Sequence, residues 1–288
     1  MKHPLISIIT PAYKAENTII RAVKSVIKQD FPDWEMIIIS DDLQNYEQIL
    51  KENNIIDARL QFTSTNKLGS GASNARNKGL ETAKGQYIAS LDADDEFKSQ
   101  KLSKMIPLVE KYGAAVSDIE FRDSDSYLAL EKLNQLPEND FLSAKDIIPV
   151  CLHTYSIYLY DRAKIPNLYY ENDLARAQDL VFLMSFFNHI EFIGFESDRL
   201  HTYYRREGSV CNSADTHATS HQNKQRLLAK INNDQISIQN ELAKEETRKY
   251  MNFSLEIDDI YDQEILKNPQ AEWLQIFKTQ IQERYFLS

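Results

Sequence analysis

Three short apolar runs, each ending in a polar or acidic turn, constrain this chain more than anything else in its first hundred residues. LISIIT (5–10), EMIIIS (35–40) and YIASL (87–91) are too short for core helices and read as buried strands. Between them lie segments with helical spacing. In NTIIRAVKSVIKQ, Ile19, Ile20, Val23, Val26 and Ile27 share one face, Asn17 stands at the N-cap position, and Phe31-Pro32 marks the stop. A polar helix is expected over 44–52, then a strand at RLQFT. ASNARNKGLETAKG should form a further helix, stopped by Gly85.

This βαβαβ rhythm predicts an α/β fold with a mainly parallel sheet and helices on both faces. In such sheets ligands bind outside the carboxyl ends of the strands. The segments P-A-Y (11–13), Asp41-Asp42 and D-A-D-D (92–95) all fall at those ends, so one site should collect them.

The second half is less regular. KLSKMIPLVEKYG is helical with a kink or break expected at Pro107. AAVSDIEF, SIYLY, IEFIGF and LHTYYR read as strands, and DLVFLMSFFNH as an apolar helix. From about residue 216 polar helices take over, and Trp273, Ile276, Phe277, Ile281 and Tyr285 form an apolar stripe near the end. The expected organisation is an α/β domain over 1–215, in two halves (1–97 and 98–215), with a helical extension over 216–288.

A net charge of −10 argues against a nucleic-acid partner, because phosphate backbones select basic faces. Cys151 and Cys211 lack metal-site or disulfide-framework spacing, so a reducing cytoplasm is the expected compartment. No apolar window reaches the ~18 residues of a membrane span. The C-terminal helices leave a homodimer contact or a contact with the inner face of the membrane open.

Taken singly the motifs are weak. Asp41-Asp42 after a strand is commonly a helix cap. GSGASNARNKG has Asn74 where a dinucleotide fingerprint needs its third glycine, which disfavours a dehydrogenase. PAYKAEN has no glycine, which disfavours a nucleotidyltransferase making sugar nucleotides. The acidic cluster says more: hard cations such as Mg²⁺ and Mn²⁺ take carboxylate oxygens, with substrate phosphates completing the shell.

In order, P-A-Y, Trp34-Glu35 with Asp41-Asp42, G-x-x-x-A-R-N-x-G and L-D-A-D-D resemble the nucleotide-binding half of GT-A glycosyltransferases. The set is most similar to the large inverting family 2, which builds bacterial surface polysaccharides. The resemblance covers residues 4–97 well and extends faintly to about 210. It implies a sugar carried from a nucleotide donor, UDP-linked by expectation, to a hydroxyl of a saccharide or lipid-linked saccharide. A hexosyl- or N-acetylhexosaminyl-transferase dependent on Mn²⁺ or Mg²⁺ is expected, in cell-surface polysaccharide or lipopolysaccharide synthesis.

Residue by residue, the resemblance implies that Pro11, Ala12 and Tyr13 line the base pocket. Asp42 would accept from a uracil imide, supported by Asp41, and Arg76 would approach the nucleotide. Asp92 and Asp94 would bracket ribose and metal, and Asp94 and Asp95 are the two candidates for the metal ligand. Arg205 or Arg206 would clamp the diphosphate, and His201 is a further candidate near the metal. Asp179, in AQDLVF, matches the acceptor-side base, with Glu171 and Asp173 as fallbacks. Helix N-cap placement is the competing reading for Asp179, and a helix dipole there would lower its pKa unless burial opposes it. Two departures stand out: D-D-L-Q replaces the usual D-D-G-S, and Gln178 replaces a glutamate. They motivate an alternative, a catalytically silent nucleotide-sugar binding protein on the same fold.

Overall fold

The computed structural model describes residues 4–123, 137–151, 155, 157–205, 216–268, 276–277 and 279–281. The chain begins β1 (Ile6–Ala12), α1 (Ile19–Ile27), β2 (Trp34–Ser40), α2 (Tyr46–Glu52), β3 (Leu60–Ser64), α3 (Ala72–Thr82) and β4 (Tyr87–Ser90). It continues β5 (Glu96–Phe97), α4 (Lys101–Tyr112), β6 (Ala114–Asp123), β7 (Phe141–Leu142), α5 (Ala144–Cys151) and β8 (Tyr158–Asp161). Last come α6 (Gln178–Met184) with a 3-10 turn (Ser185–Asn188), β9 (Ile193–Arg205), α7 (Thr216–Asn232) and α8 (Glu241–Lys267).

One sheet holds all nine strands, in the order β3-β2-β1-β4-β8-β6-β9-β5, with β7 also on β9. The half made by β3, β2, β1 and β4 is parallel, as the alternation predicts. The other half is mixed: β8 runs antiparallel to β4 and β6, β6 is parallel to β9, and β5 and β7 are antiparallel to β9.

Side-chain alternation divides the core into two layers. Ile6, Ile8, Met36 and Ile38 pack with α1, α2 and α4 on one face. Ile9, Ile37 and Ile39 pack with α3, and their layer continues through α5, α6 and the C-terminal helices. Leu227 and Ile231 of α7 and Met251, Phe253 and Ile257 of α8 are buried in that second layer, so the core runs across residue 215 without a break. Phe277 and Ile281 are fully buried in it too, whereas Trp273 and Tyr285 lie outside the described residues. No helix among the described residues is long and apolar enough to cross a membrane.

Four local expectations change. Asn17 does not cap α1; Thr18 occupies that position without a side-chain bond. The two segments expected as separate late strands form one strand, β9. Pro107 sits inside an unbroken α4, because Leu102, Met105 and Val109 anchor that helix on both sides of it. Gly85 is not the helix stop. It lets the turn before β4 pass against β1, since an added Cβ would lie 2.5 Å from the Ser7 nitrogen. There Glu35 accepts from Ser7 Oγ (2.6 Å) and Lys84 N (2.8 Å), a structural job for the acid of the Trp34-Glu35 pair.

Candidate active site at the carboxyl edge of the sheet

β1, β2 and β4 are parallel neighbours, so their carboxyl ends bring the three motifs to one edge. Pro11 and Ala12 close β1, and Tyr13 beyond them is half exposed, with Lys14 Nζ 5.3 Å from its ring centre. The ring lies against Gly69, which adopts φ +66°.

Asp41 organises that approach. Its carboxylate accepts from Thr65 Oγ1 (2.7 Å), Ser70 N (3.1 Å), Ser70 Oγ (2.5 Å) and Gly71 N (2.9 Å), folding the loop that leads into α3. Asp42 is buried, and it accepts from Lys14 N (2.6 Å), Tyr46 hydroxyl (2.8 Å), Ser40 Oγ (3.1 Å) and Gln44 N (3.2 Å). Burial alone would raise its carboxyl, but these donors outweigh it and hold the pKa below the ordinary value. With four donors on two oxygens, a uracil imide N–H would have to share Asp42 with them. Tyr46 is a positioning residue that the sequence did not single out: its hydroxyl also accepts from Ala15 N (3.1 Å). Leu43, where the resemblance implies a glycine, adopts φ 65°, so the turn holds a left-handed residue without one.

Arg76, on the buried face of α3, reaches the next strand end. Its Nη2 donates to Asp92 Oδ1 at 2.6 Å, and its guanidinium lies 5.3 Å from the Tyr170 ring centre. Burial works against the charge, and the Asp92 carboxylate, the Tyr170 hydroxyl and Asp179 together restore it, so the guanidinium stays protonated. Its Nε and Nη1 are buried and find no hydrogen-bond partner among the described residues.

The acidic turn is held from three sides. Arg21 of α1 donates to the Asp94 main-chain carbonyl, stacks 3.6 Å from the Tyr204 ring centre and lies 3.9 Å from Glu96. Asp95 turns inward at 3% exposure, with Oδ2 3.0 Å from His201 Nε2 and Oδ1 accepting from Tyr204 N at 3.1 Å. Burial raises its carboxyl well above the ordinary range, and Asp94 and Asp92 add to the shift. His201 is equally buried, and burial pushes its imidazole well below the usual value, so it is neutral. Asp92 and Asp94 keep partly exposed surfaces at the edge.

Asp179 lies in the first turn of α6 and is not the cap, which is Ala177 at φ 60°. It keeps some surface, yet protein surrounds the carboxyl closely enough for burial to raise its pKa; Arg76 and the Leu180 N–H (3.0 Å) work in the other direction. Burial therefore outweighs the helix end. Arg76 thus pairs with Asp92 and lies within electrostatic reach of Asp179. The fallback acids are engaged elsewhere: Lys230 pairs with Glu171 and with Asp173, each at 2.9 Å. Arg205 ends β9, while Arg206 and Cys211 lie outside the described residues. A cleft of about 540 Å³ along α3 reaches the site only through Thr65 and Ser70, and holds none of Asp42, Asp92, Asp94 and Asp179.

Among the described residues no three His, Cys, Asp or Glu side chains converge as a ready-made metal cage. Such an edge fits a hard cation held by one or two carboxylates, its shell completed by substrate phosphates.

Residues 7–163, more than half of the chain, match the family model described as glycosyl transferase family 2. The chain belongs to glycosyl transferase family 2. Its relatives in that family include the putative teichuronic acid biosynthesis glycosyltransferase TuaG of Bacillus subtilis, 42% identical over 115 residues, 40% of this chain and 45% of the relative. Another is the UDP-Glc:alpha-D-GlcNAc-diphosphoundecaprenol beta-1,3-glucosyltransferase WfgD of Escherichia coli, 38% identical over 37% of this chain and 42% of the relative. The matched segment thus spans less than half of either relative. The crystal structure of S. aureus TarS 1-349 in complex with UDP-GlcNAc superposes with a TM-score of 0.57 at 21% identity, covering 77% of this chain and 66% of that one. That likeness establishes the shared GT-A fold, including its extension beyond the nucleotide-binding half.

Proposed function

We propose that this family 2 member transfers a sugar from a uridine-diphosphate sugar to a hydroxyl of a saccharide or lipid-linked saccharide. The transfer inverts the anomeric carbon and serves the assembly of a bacterial surface polysaccharide. The observation that carries this reading is the placement of Arg76, whose guanidinium pairs with Asp92 at the strand end at 2.6 Å and lies within electrostatic reach of Asp179. The relatives support the donor class: WfgD is described as using UDP-Glc, and TarS has been crystallised with UDP and with UDP-GlcNAc.

In this reading Tyr13 packs against the base and the Asp41–Asp42 loop shapes its pocket. Asp92 meets the ribose while Arg76 faces the diphosphate with its remaining donors. Asp94, with Asp92 beside it, would hold Mn²⁺ or Mg²⁺, which would supply positive charge opposite the departing diphosphate. Asp95, the other metal candidate, is assigned to holding the turn, because His201 and Tyr204 N engage both of its oxygens. The acceptor oxygen attacks the anomeric carbon from the face opposite the diphosphate. The new C–O bond forms, the bond to phosphate breaks, and Asp179 takes the hydroxyl proton. The raised carboxyl suits that task, since a stronger conjugate base accepts the proton more readily.

The test is release of UDP from UDP-glucose and UDP-N-acetylglucosamine, with Mn²⁺ and a panel of saccharide acceptors. Turnover by wild type and its loss in Asp179→Asn are expected. Binding of UDP without any turnover would instead favour the silent binder, which Gln178 and the D-D-L-Q turn motivate.

A further inference from the structure

Lys101 is the least expected charge in the molecule. It opens α4 just behind the acidic turn, yet it is fully buried. Its Nζ donates to Ser117 Oγ (3.1 Å) and the Ile157 carbonyl (3.3 Å) and lies 5.0 Å from the centre of the Phe97 ring. Two neutral acceptors and a ring are thin compensation for removing an ammonium from water. Burial accordingly pulls Lys101 down to about 7, and the Asp95 carboxylate opposes this fall.

The groups between these two charges form a contact chain. Phe97 packs edge-on against His201 at 5.7 Å, and His201 Nε2 meets Asp95 Oδ2 at 3.0 Å. Phe97 and His201 are also register partners where β5 crosses β9. His201 Nδ1 is buried with no hydrogen-bond partner among the described residues, so Asp95 makes the ring's polar contact there and Phe97 packs against its edge. The Lys101 ammonium therefore lies beneath the acidic turn on its protein side, opposite the edge where Asp92 and Asp94 keep exposed surface. It ties β6, the segment entering β8 and β5 into one base.

We propose that Lys101 is a positioning residue for donor binding: through Phe97, His201 and Asp95 it fixes the turn that presents Asp94 to the donor's diphosphate and its metal. The inference rests on the sugar-nucleotide reading above and adds the buried group that holds the site in shape. A purely structural lysine predicts a different outcome: its replacement would change the melting temperature and leave Mn²⁺-dependent UDP affinity where it was.

The experiment is isothermal titration of UDP, with and without Mn²⁺, and of uridine, into wild type, Lys101→Met and Ser117→Ala, with melting temperatures of each. Lys101→Met should keep the wild-type melting temperature and uridine affinity, while Mn²⁺-dependent UDP affinity falls about 10- to 100-fold, the usual cost of losing an outer support. Ser117→Ala, which removes one Nζ acceptor and leaves the ammonium, should show a smaller loss in the same quantity. If Lys101→Met does not fold, Ser117→Ala decides alone. Unchanged Mn²⁺-dependent affinity, or a parallel fall in uridine affinity, overturns the positioning role. Failure of wild type to bind UDP at all overturns the donor reading instead.

Discussion

Asp179 carries the sharpest prediction at the scale of single residues. Asp179→Asn should leave UDP affinity unchanged and lower transfer about 10²- to 10⁴-fold, the usual contribution of a general base. Its pH dependence has a defined sign. A carboxyl raised by burial is protonated, and unable to accept a proton, up to a pH above its ordinary value of 3.8. The transfer rate should therefore climb with pH along a limb displaced above that value. Asp42, Asp92 and Asp94 were legible in the sequence because each belongs to a short motif at a strand end, and Arg76 and Asp179 because each lies in a short motif within a helix. Arg21, Tyr46 and Lys101 were not, because only the packing of α1, α2 and α4 against distant turns brings them to the site. The inward turn of Asp95 was hidden for the same reason, since its partners His201 and Tyr204 lie more than 100 residues away.

Among the elements, α3 is the one whose position the site depends on most. It must lie close to the sheet for Arg76 to reach Asp92, and Gly79 permits that: a Cβ there would stand 2.5 Å from Ile9 Cγ2 and 3.0 Å from Ile39 Cδ1. Gly79→Ala should destabilise the fold by about 1–3 kcal/mol, the usual cost of overpacking, and weaken UDP binding as α3 is lifted. Urea denaturation and calorimetry would measure the two effects. The parallel half of the sheet was legible from its apolar runs and helical spacing. The mixed half was less so: β5 and β7 are two residues long, below the reach of periodicity, and β9 spans a turn-rich stretch that reads as two strands. Pro107 shows packing overriding a local breaker.

For the molecule as a whole, the second core layer makes the C-terminal helices part of the same folding unit. Truncation after residue 215 would strip Leu227, Ile231, Met251, Phe253 and Ile257 from that layer, and it should yield insoluble or unfolded protein. A cooperative melt of the 1–215 fragment near the full-length temperature would contradict this. Acid stability follows from Glu120. Burial raises its carboxyl, but bonds from Arg122 and Lys98 win and bring it from 4.5 down to about 2. A carboxyl depressed in the folded state stabilises the fold fully above its unfolded value, and that contribution fades as pH falls from about 4.5 toward 2. Glu120→Gln should thus be less stable than wild type at pH 7, with the difference closing in acid.

The central claim is a uridine-diphosphate site at the carboxyl edge of the sheet, read through Arg76 and the acidic turn. Isothermal titration of UDP in the presence of Mn²⁺ tests it most directly. Saturable one-to-one binding is expected in wild type and in Asp179→Asn, with the Mn²⁺-dependent part abolished in Asp94→Ala. Absence of binding in wild type, or full Mn²⁺-dependent affinity in Asp94→Ala, would contradict it.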